Sequence, residues 1–235
     1  MNHATPGRRI WGLRRLRWLA MVIRHPSALL LLVQLGGLLL YPFIEHTHAA
    51  RALFGAFGVV VLMLAISMVQ RTRGRGWISL GIAVPAVACN AAGLVLDLPG
   101  LKPWWAALEA LFYFYAAGCL IAYMLADRRA TTDELFASGA TFTLLAWAFT
   151  YVFVLCQVLQ PGCFGGTDQP RSWTELLFLS FALMSSTGIG DVIPVTVHAR
   201  AVASLEMFVG VMYLALVVSR LIGWSVAPKE ERPAP

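Results

Sequence analysis

The chain has 235 residues, of which 59% are hydrophobic and only 13% charged, with a mean hydropathy of +0.71; soluble domains carry about 25% charged residues. A water-soluble domain of this length has no core large enough for that much apolar surface, so the bilayer is the expected solvent and an all-α integral membrane protein the expected fold class. The net charge of +6 does not point to nucleic acid, because the basic residues fall in short clusters between apolar runs, which is a topology signal and not a binding stripe.

Residues 1–25 form a basic amphipathic N-terminus. Arg8, Arg9, Arg14, Arg15, Arg17 and Arg24 interleave with Ile10, Trp11, Leu13, Leu16, Trp18 and Leu19. That composition suits an interfacial helix on anionic membrane lipids; a solvated basic tail that only sets topology is the plainer alternative. A signal peptide fits less well, since Thr47-His48-Ala49 makes a poor cleavage site.

Residues 26–130 hold four apolar segments, Ser27–Ile44, Ala52–Val69, Trp77–Leu98 and Trp104–Ala126. Each is near the roughly 20 residues that a helix rising about 1.5 Å per residue needs to cross the hydrocarbon core. Asn90 and Glu109 lie inside the third and fourth and suit interhelical hydrogen bonds. The fourth has no Lys or Arg, so this four-helix region lacks voltage-sensor arginines.

Residues 131–224 read as a unit with a span at Phe136–Gln160, a short apolar run at Trp173–Met184 and a last span at Ala201–Gly223. The short run cannot cross and is predicted to be a re-entrant pore helix, followed by a filter loop, between the last two of six transmembrane helices. Residues 225–235 are a short cytoplasmic tail with no room for a ligand-sensing domain, so control would come from lipid, pH, membrane tension or another protein. Of the 18 Lys and Arg residues, only Arg51, Lys102, Arg171 and Arg200 fall on the side opposite the N-terminus. This places both termini in the cytoplasm of a multi-pass plasma-membrane protein and the loop after Met184 toward the outside. His46, His48 and His198 are then external, where they are expected to be solvated and a pH-sensing role is conceivable.

Cys89 and Cys119 lie in apolar segments as inert thiols. Cys156 and Cys163 flank the end of the fifth span; an oxidising compartment would allow a disulfide, but two thiols are expected. There is no Cys-x-x-Cys and no His-Glu-x-x-His, so no cofactor and no metal-binding motif are expected.

The stretch between the last two spans has an ordered physical reading. Ser172 and Glu175 match a capping box that opens a helix at Trp173. Thr174 to Met184 continue without Gly or Pro, and the negative end of that helix dipole favours a cation at its C-terminus. Ser185 and Ser186 supply hydroxyls, and Ser186 can offer one to an ion at the inner mouth. Gly188 and Gly190 tolerate positive φ, which lets consecutive carbonyls face one axis. Asp191 adds negative charge at the outer mouth, and Pro194 stops any helix. An ordinary outer loop with a tight turn would explain a lone Gly-x-Gly, but not the whole ordered set.

Ser186-Thr187-Gly188-Ile189-Gly190-Asp191, then Pro194 and Ala199-Arg200, resemble the Thr-Val-Gly-Tyr-Gly-Asp filter, Pro and Ala-Arg pair of the bacterial potassium ion-channel family. The resemblance covers the chain from Thr132 onward; the first four spans are similar only in number to the six-span, single-pore-loop members. It implies a potassium-selective channel, not an enzyme, whose filter carbonyls replace the ion's water shell. Potassium ions and further copies of the chain, as a homotetramer, are then the partners. Symmetry asks for the same, since one loop cannot encircle an ion. Thr187 stands where the family has Val and Ile189 where it has Tyr. Ile189 cannot make the hydrogen bond by which the Tyr ties the filter down, which implies a softer filter. A non-selective monovalent cation channel and a non-conducting channel-like subunit are the alternatives. Against an integral membrane enzyme, no span carries a His, and Glu109 and Glu206 stand apart.

Two residues of the last span complete the candidate set. Gly210 is either a hinge of the inner helix, as the resemblance implies, or a small residue that permits close packing. Glu206, an ionisable group inside the span, is predicted to support the filter from behind by a hydrogen bond to the pore helix, or else to be a paired structural carboxylate. The lack of basic residues in the fourth span generates a test: currents are expected to vary little with voltage, and steep activation in a voltage-clamped bilayer would contradict it.

Overall fold

The computed structural model describes residues 25–44, 99–126, 131–166 and 169–226, together with a few isolated positions between 61 and 88. The expected second and third spans, most of the basic N-terminus, residues 227–235 of the tail, and Cys89, Asn90, His46 and His48 lie outside the described residues.

Helix α1 runs Pro26–Ile44. Pro26 occupies the first helical position, where a missing N–H is no loss. A 3-10 turn at Pro99–Leu101 leads into α2, Lys102–Ala126, and a short connection leads to α3, Thr132–Leu159. Strand β1 (Phe164–Gly165), helix α4 (Trp173–Met184), strand β2 (Ile193–Pro194) and helix α5 (Val197–Val226) complete the order. Three of the described helices are long and apolar enough to cross a membrane: Lys102–Ala126, Thr132–Leu159 and Val197–Ile222. The described apolar portion of α1, Pro26–Leu40, is shorter, as is α4.

The helices begin earlier than their apolar stretches suggest, and capping explains why. Thr131 caps α3 by accepting from the Glu134 N–H at 3.3 Å, and Asp133 and Glu134 place acidic charge against the positive end of the helix dipole. Those polar residues form the first turn, so α3 opens at Thr132 and not at Phe136. In the same way Thr196 accepts from the Ala199 and Arg200 N–H groups, at 3.4 and 3.0 Å, so α5 opens ahead of Ala201.

Helix α3 is the hub, touching α1, α2, α4 and α5. It lies antiparallel to α2, and alanines such as Ala106, Ala110, Ala116, Ala137 and Ala140 are buried between the elements. Small side chains let backbones approach closely where lipid offers no hydrophobic drive. Toward the Leu159 end of α3, Tyr113 stacks on Tyr151 and meets Trp147 edge-on, while Trp173 at the start of α4 packs edge-on against Trp147. At the other end, Asp133 accepts from Ser27 Oγ (2.8 Å), the Ser27 N–H (3.3 Å) and Tyr123 Oη (3.3 Å), joining α1, α2 and α3 at one point.

Helices α3 and α5 are antiparallel, and polar contacts set their register at successive depths. Gln160 Nε2 lies 3.2 Å from His198 Nδ1 just past the Leu159 end of α3. Further along, Tyr213 Oη donates to the Ser138 carbonyl at 2.5 Å, and Arg220 meets Glu134 at 2.9 Å. Between these contacts α5 buries a single stripe, Ala199, Ala203, Glu206, Gly210 and Tyr213. Its three- and four-residue spacing is one face of a helix.

Candidate ion-conducting site

The site is built on α4. Ser172 Oγ accepts from the Glu175 N–H at 3.3 Å, and Glu175 Oε2 accepts from the Ser172 N–H at 2.7 Å, closing the capping box in both directions. Arg171, four residues before Glu175, adds a 2.7 Å ion pair to Oε1. The Ser172 backbone N–H, with Arg171 second, holds the Glu175 carboxyl below the usual carboxylate range. A depressed value means that the stabilisation is fully present at neutral pH and is lost only as pH falls through that lowered range.

At the other end, the last carbonyls of α4 need partners, and the following loop supplies them. The N–H groups of Ser185 and Ser186 bond the carbonyls of Phe181 and Leu183, and those of Thr187 and Gly188 both reach Ala182 at 3.1 and 3.3 Å. This is the Schellman arrangement, in which the residue after the cap turns left-handed. That residue is Ser186, with φ of 58°. A non-glycine in this region costs on the order of 1 kcal/mol, so the loop holds Ser186 against its preference. Gly188 follows with φ of 65°, while Gly190, at 159°, is nearly extended. Positive φ thus falls at Gly188 and Gly190, where the sequence pointed, and also at Ser186, which the need to cap α4 turns left-handed. Thr187 Oγ1 lies 3.3 Å from the Ala182 carbonyl and 3.1 Å from Ser185 Oγ.

All of Ser185, Ser186, Thr187, Gly188, Ile189, Gly190 and Asp191 are exposed, although Met184 before them and Val192 after them are buried. Ile189 is 67% exposed, and Phe178, against which Gly190 rests, is 51% exposed.

Behind the loop, Glu206 is fully buried on α5 and contacts Ser180 of α4 through Oε1. Ser180 Oγ also lies 2.7 Å from the Ala146 carbonyl of α3. A hydroxyl has one proton to donate. Both Ser180 contacts can form when Ser180 donates to Ala146 and accepts from a protonated Glu206 Oε1, which leaves Glu206 Oε2 without a hydrogen-bond partner among the described residues. The contact draws α3, α4 and α5 together one turn below the loop. Gly210, one turn further along α5, sits against the end of α4: a Cβ there would lie 2.4 Å from the Met184 carbonyl oxygen and 2.8 Å from its Cα. Gly210 thus lets the α5 backbone lie directly against the end of α4 in this structure.

Several residues of the site carried little sequence signal. Arg171 showed only its four-residue spacing from Glu175; Ser180, Gln157, Gly166 and Tyr213 showed none, because their partners lie far along the chain. Glu109 is buried in α2, and its Oε2 has no hydrogen-bond partner among the described residues. Cys119, Cys156 and Cys163 are free thiols. Burial pushes the Cys163 thiol up to about 11, so it stays protonated and unreactive at neutral pH.

Residues 110–226 match the ion-channel family model. The match takes in most of α2 and all of α3, α4, the loop and α5, and it supports an ion-channel family. No solved structure matched the chain. Within the matched region, two variants test the support behind the loop. Gly210→Ala is expected to destabilise the detergent-solubilised protein by about 1–3 kcal/mol, through overpacking against backbone that cannot swing aside. An unchanged melting curve would show that α5 stands further from α4. Glu206→Gln keeps a donor for Ser180 and is expected to melt within about 0.5 kcal/mol of the parent; a larger loss would mean that Glu206 acts as a carboxylate.

Proposed function

We propose that the chain is one subunit of a homotetrameric potassium-selective channel that conducts passively through a shared filter. The carrying observation is the exposed run Ser185–Asp191 between buried neighbours, at the end of a helix too short to span. Irregular backbone at membrane depth is tolerated only where protein covers it or water lines it. Further copies around one axis would provide both. On this reading α4 is the re-entrant pore helix. The carbonyls and hydroxyls of Ser186, Thr187, Gly188, Ile189 and Gly190 coordinate potassium, and Asp191 concentrates cations at the outer mouth. Ser172 and Glu175 hold the start of the pore helix, and Glu206 and Gly210 support its end.

The outward surface of α5 favours the same assembly. Outside the buried stripe, Leu205, Met207, Phe208, Val211, Met212 and Val218 are all exposed, an apolar face available to neighbouring copies, to lipid and, along one edge, to the ion path. Six spans, a plasma-membrane location and cytoplasmic termini complete the proposal, on the basic-residue distribution. Ile189 supports a second reading, a non-selective monovalent cation channel, because its side chain provides no hydrogen bond to fix the filter.

Mass measurement of the purified particle, followed by flux in liposomes, tests the proposal. Four copies per particle and a reversal potential close to the potassium value in asymmetric potassium and sodium are the expected result. Equal permeability would select the non-selective reading. A single-chain particle, or vesicles that pass neither ion, would overturn conduction through a shared filter.

A further inference from the structure

Arg171 is the most heavily engaged charged side chain near the loop, and nothing in the filter sequence itself calls for it. Its side chain is only 7% exposed. Its backbone is clasped by Gln157 of α3: the Arg171 N–H donates to Gln157 Oε1 at 2.7 Å, and Gln157 Nε2 donates to the Arg171 carbonyl at 3.0 Å. Nη1 donates to Glu175 Oε1 in the first turn of α4, and Nη2 donates to the Gly165 carbonyl in β1 at 2.5 Å.

Strand β1 leads directly to the outer end of the loop. Gly165 pairs with Ile193 and Phe164 with Pro194 in an antiparallel ribbon, and the Val195 N–H extends it to the Cys163 carbonyl at 2.9 Å. Strand β2 starts two residues after Asp191. Position 166 is shaped for the same contact. Its φ is +99°, and a Cβ there would sit 2.3 Å from Arg171 Nη2 and 3.2 Å from the Asp191 carbonyl. Only glycine leaves room for the guanidinium and the end of the loop together.

We infer that Arg171 is a positioning residue for ion selection, a planar fork that fixes the outer end of the filter loop to the start of α4. A guanidinium suits this task because its donors diverge in a rigid plane and its charge persists at every accessible pH. The filter side chain Ile189 is exposed and makes no hydrogen bond, so the restraint on this end of the loop comes from behind, through β1 and β2. The inference rests on the channel reading above.

The test compares the parent with Arg171→Gln, Glu175→Gln and the double variant in liposomes under asymmetric potassium and sodium. Glutamine at position 175 still closes a capping box, so that variant removes the ion pair and keeps the helix start. Each single variant is expected to lower the potassium-to-sodium permeability ratio about threefold or more, and the double variant no further than either single, as for groups that share one contact. Parental ratios in both single variants would overturn the inference and leave the channel reading intact; a parent that passes no ions would instead sink the channel reading. If Arg171→Gln does not assemble, Arg171→Lys decides: a ratio between the parent and Glu175→Gln supports the fork, and a parental ratio overturns it. In a parent that passes both ions equally, the decay of sustained current is read in place of the ratio. Faster decay in the variants supports the inference, and unchanged decay overturns it.

Discussion

A 12-residue helix in an apolar setting has to place the carbonyls of its last turn, because no water is at hand to donate to them. In this chain α4 places them on the N–H groups of Ser185, Ser186, Thr187 and Gly188. That exchange fixes the backbone of the loop at its first residues and holds Ser186 in the left-handed region. The carbonyls of the loop itself are left free of the helix, which is the condition for any role in binding an ion.

The end of α4 is held from two sides. Glu206 and Ser180, with the Ala146 carbonyl behind them, draw α3, α4 and α5 together. Gly210 lets α5 come close enough to touch the Met184 backbone. The start of α4 is held by the capping box, by Arg171 and by Trp173 against Trp147. A short helix gains little stability from its own hydrogen bonds, so its position depends on these attachments. Those of Ser180, Arg171 and Trp173 lead back to α3, through Ala146, Gln157 and Trp147.

The fold was legible wherever its cause was local. Ser172 and Glu175 are three residues apart, and the helix they cap runs Trp173–Met184, the stretch the sequence marks out. Apolar runs located α2, α3 and α5, but their starts were misjudged by a few residues, because a capped first turn is polar and hydropathy alone passes over Thr132, Asp133 and Glu134. The left-handed position at Ser186 was not legible. Serine seldom adopts that conformation, and only the demand of the α4 carbonyls puts it there.

By itself the sequence determined that the chain belongs in a membrane, that a short helix with a Gly-x-Gly loop stands ahead of the last long helix, and which residues that loop contains. These follow from composition, length and near-neighbour chemistry, which act within a turn or two of the chain. The tertiary structure decided that Gly210 lies against the Met184 backbone, that Glu206 meets Ser180, and that Arg171 reaches both Glu175 and β1. The latter two contacts depend on helix register and side-chain direction, and Gly210 meets Met184 26 residues away in the chain just as Glu206 meets Ser180 across 26. An ionisable group inside a span pointed Glu206 toward the pore helix, but the residue it meets and the Gly210–Met184 contact appear only once α3 has set the depth of α4 and α5.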